Sequence, residues 1–194
     1  KLSPAALDGI TEKLQGCNVL ALGPGLGRSD GVFRVVKAVL EQAECPVVLD
    51  ADGITLVSRH MDILRDRSYA TILTPHDGEF ARLSPPEMPR IEQTMALSRE
   101  LGAIILRKGH RTLITDGLSC WENHTGNPGM ATGGSGDVLS GIILSLLGQG
   151  LAPLEAAAAG AWLHGAAGDR AAEKLGEYGM LPGDLVEELP RLLK

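Results

Sequence analysis

Short apolar runs alternate along the chain with longer segments in which apolar residues recur every three or four positions. The short runs are rich in Val, Ile and Leu and end in polar or glycine-bearing stretches, which is typical of buried β-strands. A hairpin around Asp116 and Gly117 is expected between the last two of them. The pattern predicts strands at residues 18–22, 46–49, 70–73, 103–106, 112–115 and 119–123.

The longer segments predict helices. Ser3 followed by Pro4, and later Ser29, mark helix starts, whereas Gly176 marks a helix end. Strands that alternate with helices favour a mainly parallel sheet with helices on both faces, an α/β fold. Ligands bind such sheets at the carboxyl ends of the strands, where four of the predicted strands run into polar loops. Further helices are predicted over residues 91–101, 137–147, 153–175 and 182–193.

Composition narrows the function classes. The 194 residues suit one domain spanning 1–194, with 44% hydrophobic residues and a net charge of −6. The acidic balance and the lack of a basic block argue against nucleic-acid binding. No apolar run reaches the roughly 18 residues that cross a bilayer, so no membrane association is expected. The chain begins at Lys1 rather than Met, which suggests that an upstream segment is missing.

The three cysteines are Cys17, Cys45 and Cys120, and their wide spacing lacks any zinc-type pattern. We expect reduced, mostly buried thiols in a cytoplasmic protein rather than a catalytic thiol.

The strongest local signal is the glycine-rich stretch from Gly129 to Asp137, which opens a predicted helix. Glycines let backbone N–H groups converge, and a helix N-terminus adds partial positive charge, so this stretch suits a phosphate. Asp137 either compensates the helix dipole or accepts a hydroxyl proton during phosphoryl transfer. The glycines and the acid occur together, which favours the catalytic interpretation. No P-loop lysine follows these glycines, and Arg28 breaks the dinucleotide fingerprint that Gly23 and Gly25 begin.

Other strand-end loops carry further candidates, each with a structural alternative. The stretch from Gly23 to Gly27 is either a tight turn or a close backbone approach to a ligand. His76 and Glu79 either begin a capped helix or contact a ligand. Asp50 and Asp52 either bind Mg²⁺ through water or cap the following helix.

Two more features concern the second half of the chain. The stretch from Lys108 to Thr112 concentrates positive charge, and either grips nucleotide phosphates or forms an exposed turn. His164 lies in an Ala-rich helix and is expected to be a packed or surface histidine rather than a catalyst.

Taken in this order, the motifs resemble the ADP- or ATP-dependent NAD(P)H-hydrate dehydratases of the ribokinase-like superfamily. The resemblance runs across nearly the whole chain, and its most specific part ends at Asp137. It implies a ribokinase-like three-layer αβα fold whose N-terminal part is missing, because the family's domain normally begins with a further glycine-rich segment. The matching stretches are 23–27, 50–53, 73–80, 108–109, 127–137, 163–165 and 167–169.

The resemblance implies the repair of damaged nicotinamide cofactors. A phosphoryl group would pass from ADP or ATP to the hydroxyl of NADH hydrate or NADPH hydrate, and phosphate would then be eliminated. Bacterial members generally use ADP and release AMP and phosphate, so ADP is the expected co-substrate, with Mg²⁺ beside it. A homo-oligomer is expected, with a homotetramer as one form, because association would cover surface that the missing segment exposes.

Site residues are carried over by position. Asp137 is implied as the base and as a contact of the hydrate, together with Gly25, Gly27 and His76. The implied nucleotide-binding residues are Lys108, Gly109, His110, Arg111, Thr112, Gly133, Gly134, Ser135 and Gly136.

Some groups have a less direct implied role. Asn127 and Glu79 are candidates for phosphate and magnesium, with no direct protein ligand to the metal expected. Asp50 and Asp52 are candidates for groups that support the site from behind.

Two alternative functions use the same residues. A small-molecule kinase of this superfamily, acting on a hydroxymethylpyrimidine or a thiazole alcohol, needs the same anion site and base, because a fold does not fix the acceptor. The loop that carries His76 favours the dehydratase. A non-catalytic nucleotide-binding protein is the third hypothesis, and its motivation is the missing N-terminal segment.

Overall fold

The computed structural model describes residues 2–84 and 87–193 and contains a six-stranded sheet. The spatial order of the strands follows the chain, β1 to β6. The first four strands are parallel, and the last two pair antiparallel as a hairpin. The strands are β1 (Leu20–Leu22), β2 (Val47–Leu49), β3 (Thr71–Leu73), β4 (Ile104–Arg107), β5 (Thr112–Thr115) and β6 (Cys120–Asn123).

Helices connect the strands and fill the last third of the chain. Two 3₁₀ turns, Pro4–Ala6 and Pro128–Met130, precede helical segments. None of the helices described is both long and apolar enough to cross a membrane. The α-helices are α1 (Leu7–Leu14), α2 (Asp30–Gln42), α3 (Asp52–Val57), α4 (Asp62–Arg65), α5 (Asp77–Leu83), α6 (Arg90–Leu101), α7 (Ser135–Gly148), α8 (Pro153–Leu175) and α9 (Pro182–Leu192).

The sheet is covered on both faces, which confirms the predicted α/β architecture. Alternation along β2 sends Val47 and Leu49 into one core and Val48 into the other. The first core is closed by α2, α3 and α6, and the second by α7 and α8. All three residues of β2 are buried, as expected for a central parallel strand.

Local signals account for the longer helices. The Ser29 hydroxyl accepts a hydrogen bond from the backbone N–H of Val32 at 3.3 Å, so the predicted N-cap of α2 is confirmed. Pro153 begins α8, and Gly176, with a φ of 72°, ends it. Ser3 precedes the first 3₁₀ turn without a side-chain capping bond.

The cysteines are all free, as predicted, but only Cys45 is buried, while Cys17 and Cys120 are half-buried. The expectation of mostly buried thiols was therefore wrong for two of the three. Burial raises the pKa of the Cys45 and Cys120 thiols, which favours their uncharged form.

The loops that follow the parallel strands meet at one edge of the sheet. The Asp50 N–H donates to the Leu22 carbonyl at 3.1 Å, and the Thr74 N–H donates to the Leu49 carbonyl at 3.1 Å. The Lys108 N–H donates to the Pro75 carbonyl at 2.8 Å. Each loop is thus hydrogen-bonded to its neighbour, and the four predicted strand-end loops form one surface, as parallel pairing requires.

Candidate active site

A cavity of about 970 Å³ opens at the carboxyl edge of the sheet. Its walls come from the loops after β3 and β4, the segment after β6, the first turn of α7 and one face of α8. The predicted site residues that line it are His76, Lys108, Gly109, His110, Arg111, Thr112, Asn127, Ser135 and Gly136. The predicted residues that lie outside its lining are Gly25, Gly27, Glu79, Gly133, Gly134 and Asp137.

The glycine-rich loop delivers the N-terminus of α7 to this cavity. Gly133 and Gly134 are exposed, and Gly134 has a φ of 94° at the helix N-cap, a conformation that favours glycine. No side chain caps α7 at this position, although the N–H of its first residue, Ser135, donates to the Thr132 carbonyl at 3.3 Å. The glycine N-cap leaves the start of α7 open to the cavity, and the predicted binding of an anion there stays a prediction.

Asp137 lies in the first turn of α7, two residues after Ser135 begins the helix. Its side chain is exposed, and within residues 2–84 and 87–193 it has no hydrogen-bond or ion-pair partner. A carboxylate without an internal partner is available to accept a proton from a ligand. The preceding residue, Gly136, lines the cavity, whereas Asp137 itself is not among the residues that line it.

Lys108 follows β4 and reaches beneath the first turn of α7. Its ammonium donates to Asp50 Oδ1 at 2.8 Å. A Cβ at Gly136 would lie 3.3 Å from Lys108 Nζ, which measures how closely the ammonium approaches this turn. The predicted cation is therefore adjacent to the predicted anion site.

Hydrogen bonds hold the rest of the loop from Lys108 to Thr112 in place. Arg111 has a φ of 58°, and its carbonyl accepts from Arg90 at 2.9 Å. The Arg111 guanidinium donates to Glu122 at 3.1 Å, which offsets part of its charge. The Thr112 hydroxyl donates to the Gly109 carbonyl at 3.2 Å. The loop is thus a hydrogen-bonded turn that lines the cavity, and its contact with nucleotide phosphates stays a prediction.

His76 caps α5 while its ring lines the cavity. Its Nδ1 accepts from the N–H groups of Gly78 at 3.0 Å and Glu79 at 3.2 Å. The Glu79 carboxylate accepts from the His76 N–H at 3.0 Å, which completes a capping box. Because Nδ1 is an acceptor, the neutral ring carries its proton on Nε2, which lies 3.6 Å from Glu79 Oε1.

Glu79 is buried, and its carboxylate accepts the capping hydrogen bond from the His76 N–H. It therefore stabilises the start of α5 and does not line the cavity.

The loop from Gly23 to Gly27 packs against the residues that follow β2. A Cβ at Gly23 would lie 1.8 Å from the Asp50 carbonyl oxygen, so only glycine fits there. Asp52 accepts from the Gly27 N–H at 2.8 Å and from Arg28 at 2.6 Å. The Arg28 hydrogen bond lowers the pKa of Asp52 below its ordinary value. Nothing would obstruct a Cβ at Gly25 or Gly27 within 4 Å, so these two glycines present open backbone.

One face of α8 supports the loop that leads to α7. A Cβ at Gly165 would lie 2.1 Å from Thr125 Oγ1 and clash with the Thr125 backbone. Asp169 accepts from the Gly126 N–H at 2.9 Å and from the Asn127 amide at 3.0 Å. The Asn127 side-chain oxygen accepts from the Gly129 N–H at 3.1 Å, so both ends of this amide are engaged in holding the loop.

His164 on α8 is a site residue that the sequence analysis underrated. Its Nε2 lies 2.9 Å from the Ser135 carbonyl oxygen and 3.1 Å from the Ser135 hydroxyl. A carbonyl only accepts, so Nε2 carries the proton and donates. Burial lowers the pKa of His164 to about 4, which keeps the ring neutral at pH 7. His164 is packed, as expected, but it also lines the cavity and fixes the first residue of α7.

The described residues contain no group of three or more His, Cys, Asp or Glu side chains placed to hold a metal ion. Mg²⁺ commonly keeps several waters and binds through one or two carboxylates together with substrate phosphates.

Comparison with known proteins places these features in a family. A family model described as NAD(P)H-hydrate dehydratase matches residues 3–191. A bifunctional NAD(P)H-hydrate repair enzyme, Nnr, of Moorella thermoacetica is 46% identical over 200 residues, covering 100% of this chain and 38% of the relative. The chain thus spans less than half of that relative's length.

Two solved structures show the same fold. A ribokinase-like superfamily protein of Enterococcus faecalis has a TM-score of 0.86 and 33% identity, covering 96% of this chain and 66% of the other. The ADP/ATP-dependent NAD(P)H-hydrate dehydratase of Bacillus subtilis, co-crystallised with ATP/Mg²⁺ and soaked with CoA, has a TM-score of 0.78 and 32% identity. The match covers 94% of this chain and 70% of that structure. The predicted ribokinase-like fold is confirmed, and the chain belongs to the NAD(P)H-hydrate dehydratase family.

Proposed function

We propose that this chain carries an ADP-dependent dehydration of NADH hydrate and NADPH hydrate, which returns both to the intact cofactors. The observation that carries the proposal is an unpartnered carboxylate, Asp137, in the first turn of an uncapped helix beside the Lys108 ammonium. A base, an anion site and a cation next to one another are the groups that phosphoryl transfer to a hydroxyl requires. Family membership supplies the acceptor.

The reaction converts a poor leaving group into a good one. Asp137 accepts the proton of the hydrate hydroxyl as its oxygen attacks the terminal phosphorus of ADP, and AMP leaves. The new phosphate ester then departs with its bonding electron pair as inorganic phosphate. Loss of a proton from the neighbouring carbon restores the double bond of the reduced nicotinamide. In the balanced overall reaction, the hydrate and ADP give the intact cofactor, AMP, inorganic phosphate and a proton.

The remaining site residues divide between the two ligands. On the hydrate side, Gly25 and Gly27 present open backbone, and His76 offers its Nε2–H as a donor. On the nucleotide side, the loop from Lys108 to Thr112 and the α7 N-terminus, Gly133 to Gly136, contact the phosphates and the nucleoside. Asn127 and Glu79, first considered for phosphate and magnesium, instead hold their loops, and we assign them that supporting role.

Mg²⁺ is proposed to enter with the nucleotide and to neutralise part of its phosphate charge. ADP is the proposed donor, and the relative named ADP/ATP-dependent makes ATP the comparison to run beside it.

The decisive experiment mixes the protein with NADH hydrate, Mg²⁺ and either ADP or ATP, and follows the return of the reduced-nicotinamide absorbance. Nucleotide-dependent recovery is expected, faster with ADP. Asp137→Asn should lower kcat on the order of 10²- to 10⁴-fold while ADP still binds. Asp8→Asn is the matched control, because Asp8 is also an exposed first-turn aspartate, on α1.

Three results would overturn the proposal. Unimpaired turnover in Asp137→Asn would remove this residue as the base. Phosphorylation of a hydroxymethylpyrimidine or thiazole alcohol, with no action on either hydrate, would make the protein a kinase of the same superfamily. ADP binding with no turnover of any acceptor, also in a longer gene product, would support a non-catalytic role.

We further propose that residues 1–194 act as one domain within a homo-oligomer. Two tryptophans leave apolar surface exposed near the β6 edge, since Trp121 is 43% and Trp162 is 49% exposed. Light scattering after size-exclusion chromatography measures the oligomer directly, and a monomer at all concentrations would contradict the proposal.

A further inference from the structure

Asp50 is a buried carboxylate directly beneath the candidate anion site. It follows β2 and is only 2% exposed. Burying a carboxylate is costly unless its charge is paired and its oxygens are hydrogen-bonded. Here Oδ1 accepts from Lys108 Nζ at 2.8 Å and from the Ala51 N–H at 2.8 Å, while Oδ2 accepts from the Ser140 hydroxyl at 2.9 Å.

These contacts limit what Asp50 does. Both oxygens already have protein partners, which leaves the carboxylate poorly placed to hold a metal ion. Asp50 is also not a cap of the helix that follows it, because α3 has no side-chain capping bond at its N-terminus. The metal-binding and capping roles are therefore not the ones that the geometry of Asp50 favours, which leaves the supporting role.

The backbone next to Asp50 is held in an uncommon conformation. Ala51 has a φ of 51°, in the left-handed region that residues with a Cβ rarely adopt. This conformation accompanies the hydrogen bond from the Ala51 N–H to Asp50 Oδ1. Strain of this kind persists only where the surroundings enforce it, and it concentrates at functional sites.

The ammonium of Lys108 requires a nearby negative charge to stay in its position. Its ammonium lies against the first turn of α7, where the helix dipole is positive and repels a cation. A free lysine side chain would move its charge toward water, because its stem is flexible. The side chain of Lys108 is nevertheless only 21% exposed, and Asp50 supplies the opposing charge that holds it there.

We propose that Asp50 is a positioning residue that holds the Lys108 ammonium at the α7 N-terminus, ready for a nucleotide phosphate. The inference rests on the proposed function only in that Lys108 contacts the nucleotide. The hydroxyl of Ser140, which lies in α7, donates to the second carboxylate oxygen of Asp50 and orients it. Asp50 thus ties together the strand end, the cation and the helix that form the site.

A double-mutant cycle tests whether Asp50 acts through Lys108. Asp50→Asn should weaken ADP binding measured by calorimetry, and lower kcat/KM for ADP on the order of 100-fold, mainly through KM. In a Lys108→Met background, the same Asp50→Asn change should have no further effect on either quantity, because there is no ammonium left to position. Equal effects in both backgrounds would overturn the proposal.

A milder pair of variants covers the case in which Lys108→Met leaves Asp50 unpaired and fails to fold. Ser140→Ala removes one hydrogen bond to Asp50 and keeps both charges, so ADP binding should weaken by a few-fold. Ser145→Ala, an exposed serine on the same helix, is the matched control and should leave binding unchanged. A loss of thermal stability in Ser140→Ala with unchanged ADP affinity would show that Asp50 is structural only.

Calorimetry also separates this inference from the proposed function. A wild-type protein that binds ADP without dehydrating either hydrate refutes the function, while the binding cycle still tests Asp50. A wild-type protein that recovers NADH, together with an Asp50→Asn variant that binds ADP normally, refutes the inference alone.

Discussion

Acidification from about pH 7.5 to about pH 5 should destabilise the folded protein through His164. In the folded state burial lowers the pKa of this imidazole to about 4, whereas its ordinary value is 6.5. The unfolded chain therefore binds a proton below about pH 6.5, and the folded protein does not until about pH 4. The contribution of His164 to the free energy of unfolding is fully present above the pKa of the unfolded state, 6.5. It decreases as the pH falls toward the pKa of the folded state, about 4.

The magnitude follows from the two pKa values. The full difference, 6.5 against about 4, is worth about 3 kcal/mol in the free energy of unfolding, at roughly 1.4 kcal/mol per pKa unit. At about pH 5 the unfolded imidazole is almost fully protonated and the folded one is almost fully neutral. About 2 kcal/mol of that total should then already be lost.

The assay is urea unfolding of the wild type and of His164→Gln at several pH values. Glutamine retains an N–H donor for the Ser135 carbonyl but does not titrate, so every other ionisable group cancels in the difference between the two proteins. The wild type should lose about 2 kcal/mol relative to the variant between about pH 7.5 and pH 5. Parallel stability curves would refute a His164 that stays neutral in the folded protein.

Two further substitutions probe the loops around the cavity. Gly165→Ala should lower the free energy of unfolding in urea by about 1–3 kcal/mol, because the new methyl group clashes with Thr125. The control is Gly141→Ala, where the space is open and the free energy of unfolding should rise by up to about 1 kcal/mol. Equal effects of the two substitutions would disprove the packing argument. Asp52→Asn should raise KM for the hydrate about tenfold by loosening Gly27, with KM for ADP unchanged. A rise in KM for ADP instead would place Gly27 on the nucleotide side.

Patterns that repeat within a few residues predicted most of the fold. The apolar run at 46–49 became β2, and the serine before the α2 valines became a confirmed cap. Helix α8 begins at the predicted Pro153 and ends at Leu175, since both boundaries have local causes. The bounds of the short helices α3 and α4 were not predicted, because six and four residues carry too little periodicity to be recognised.

The candidate site divides in the same way. The glycine-rich start of α7 could be predicted, because glycines at a helix N-terminus are a local signal that needs no residue from elsewhere in the chain. A supporting role was implied for Asp50, but its partners could not be predicted, since Lys108 and Ser140 lie 58 and 90 residues away along the chain. Sequence shows which side chains could be charged at a strand end. Only the packing of α7 over the sheet determines which charge faces the ligand and which one is buried to hold it there.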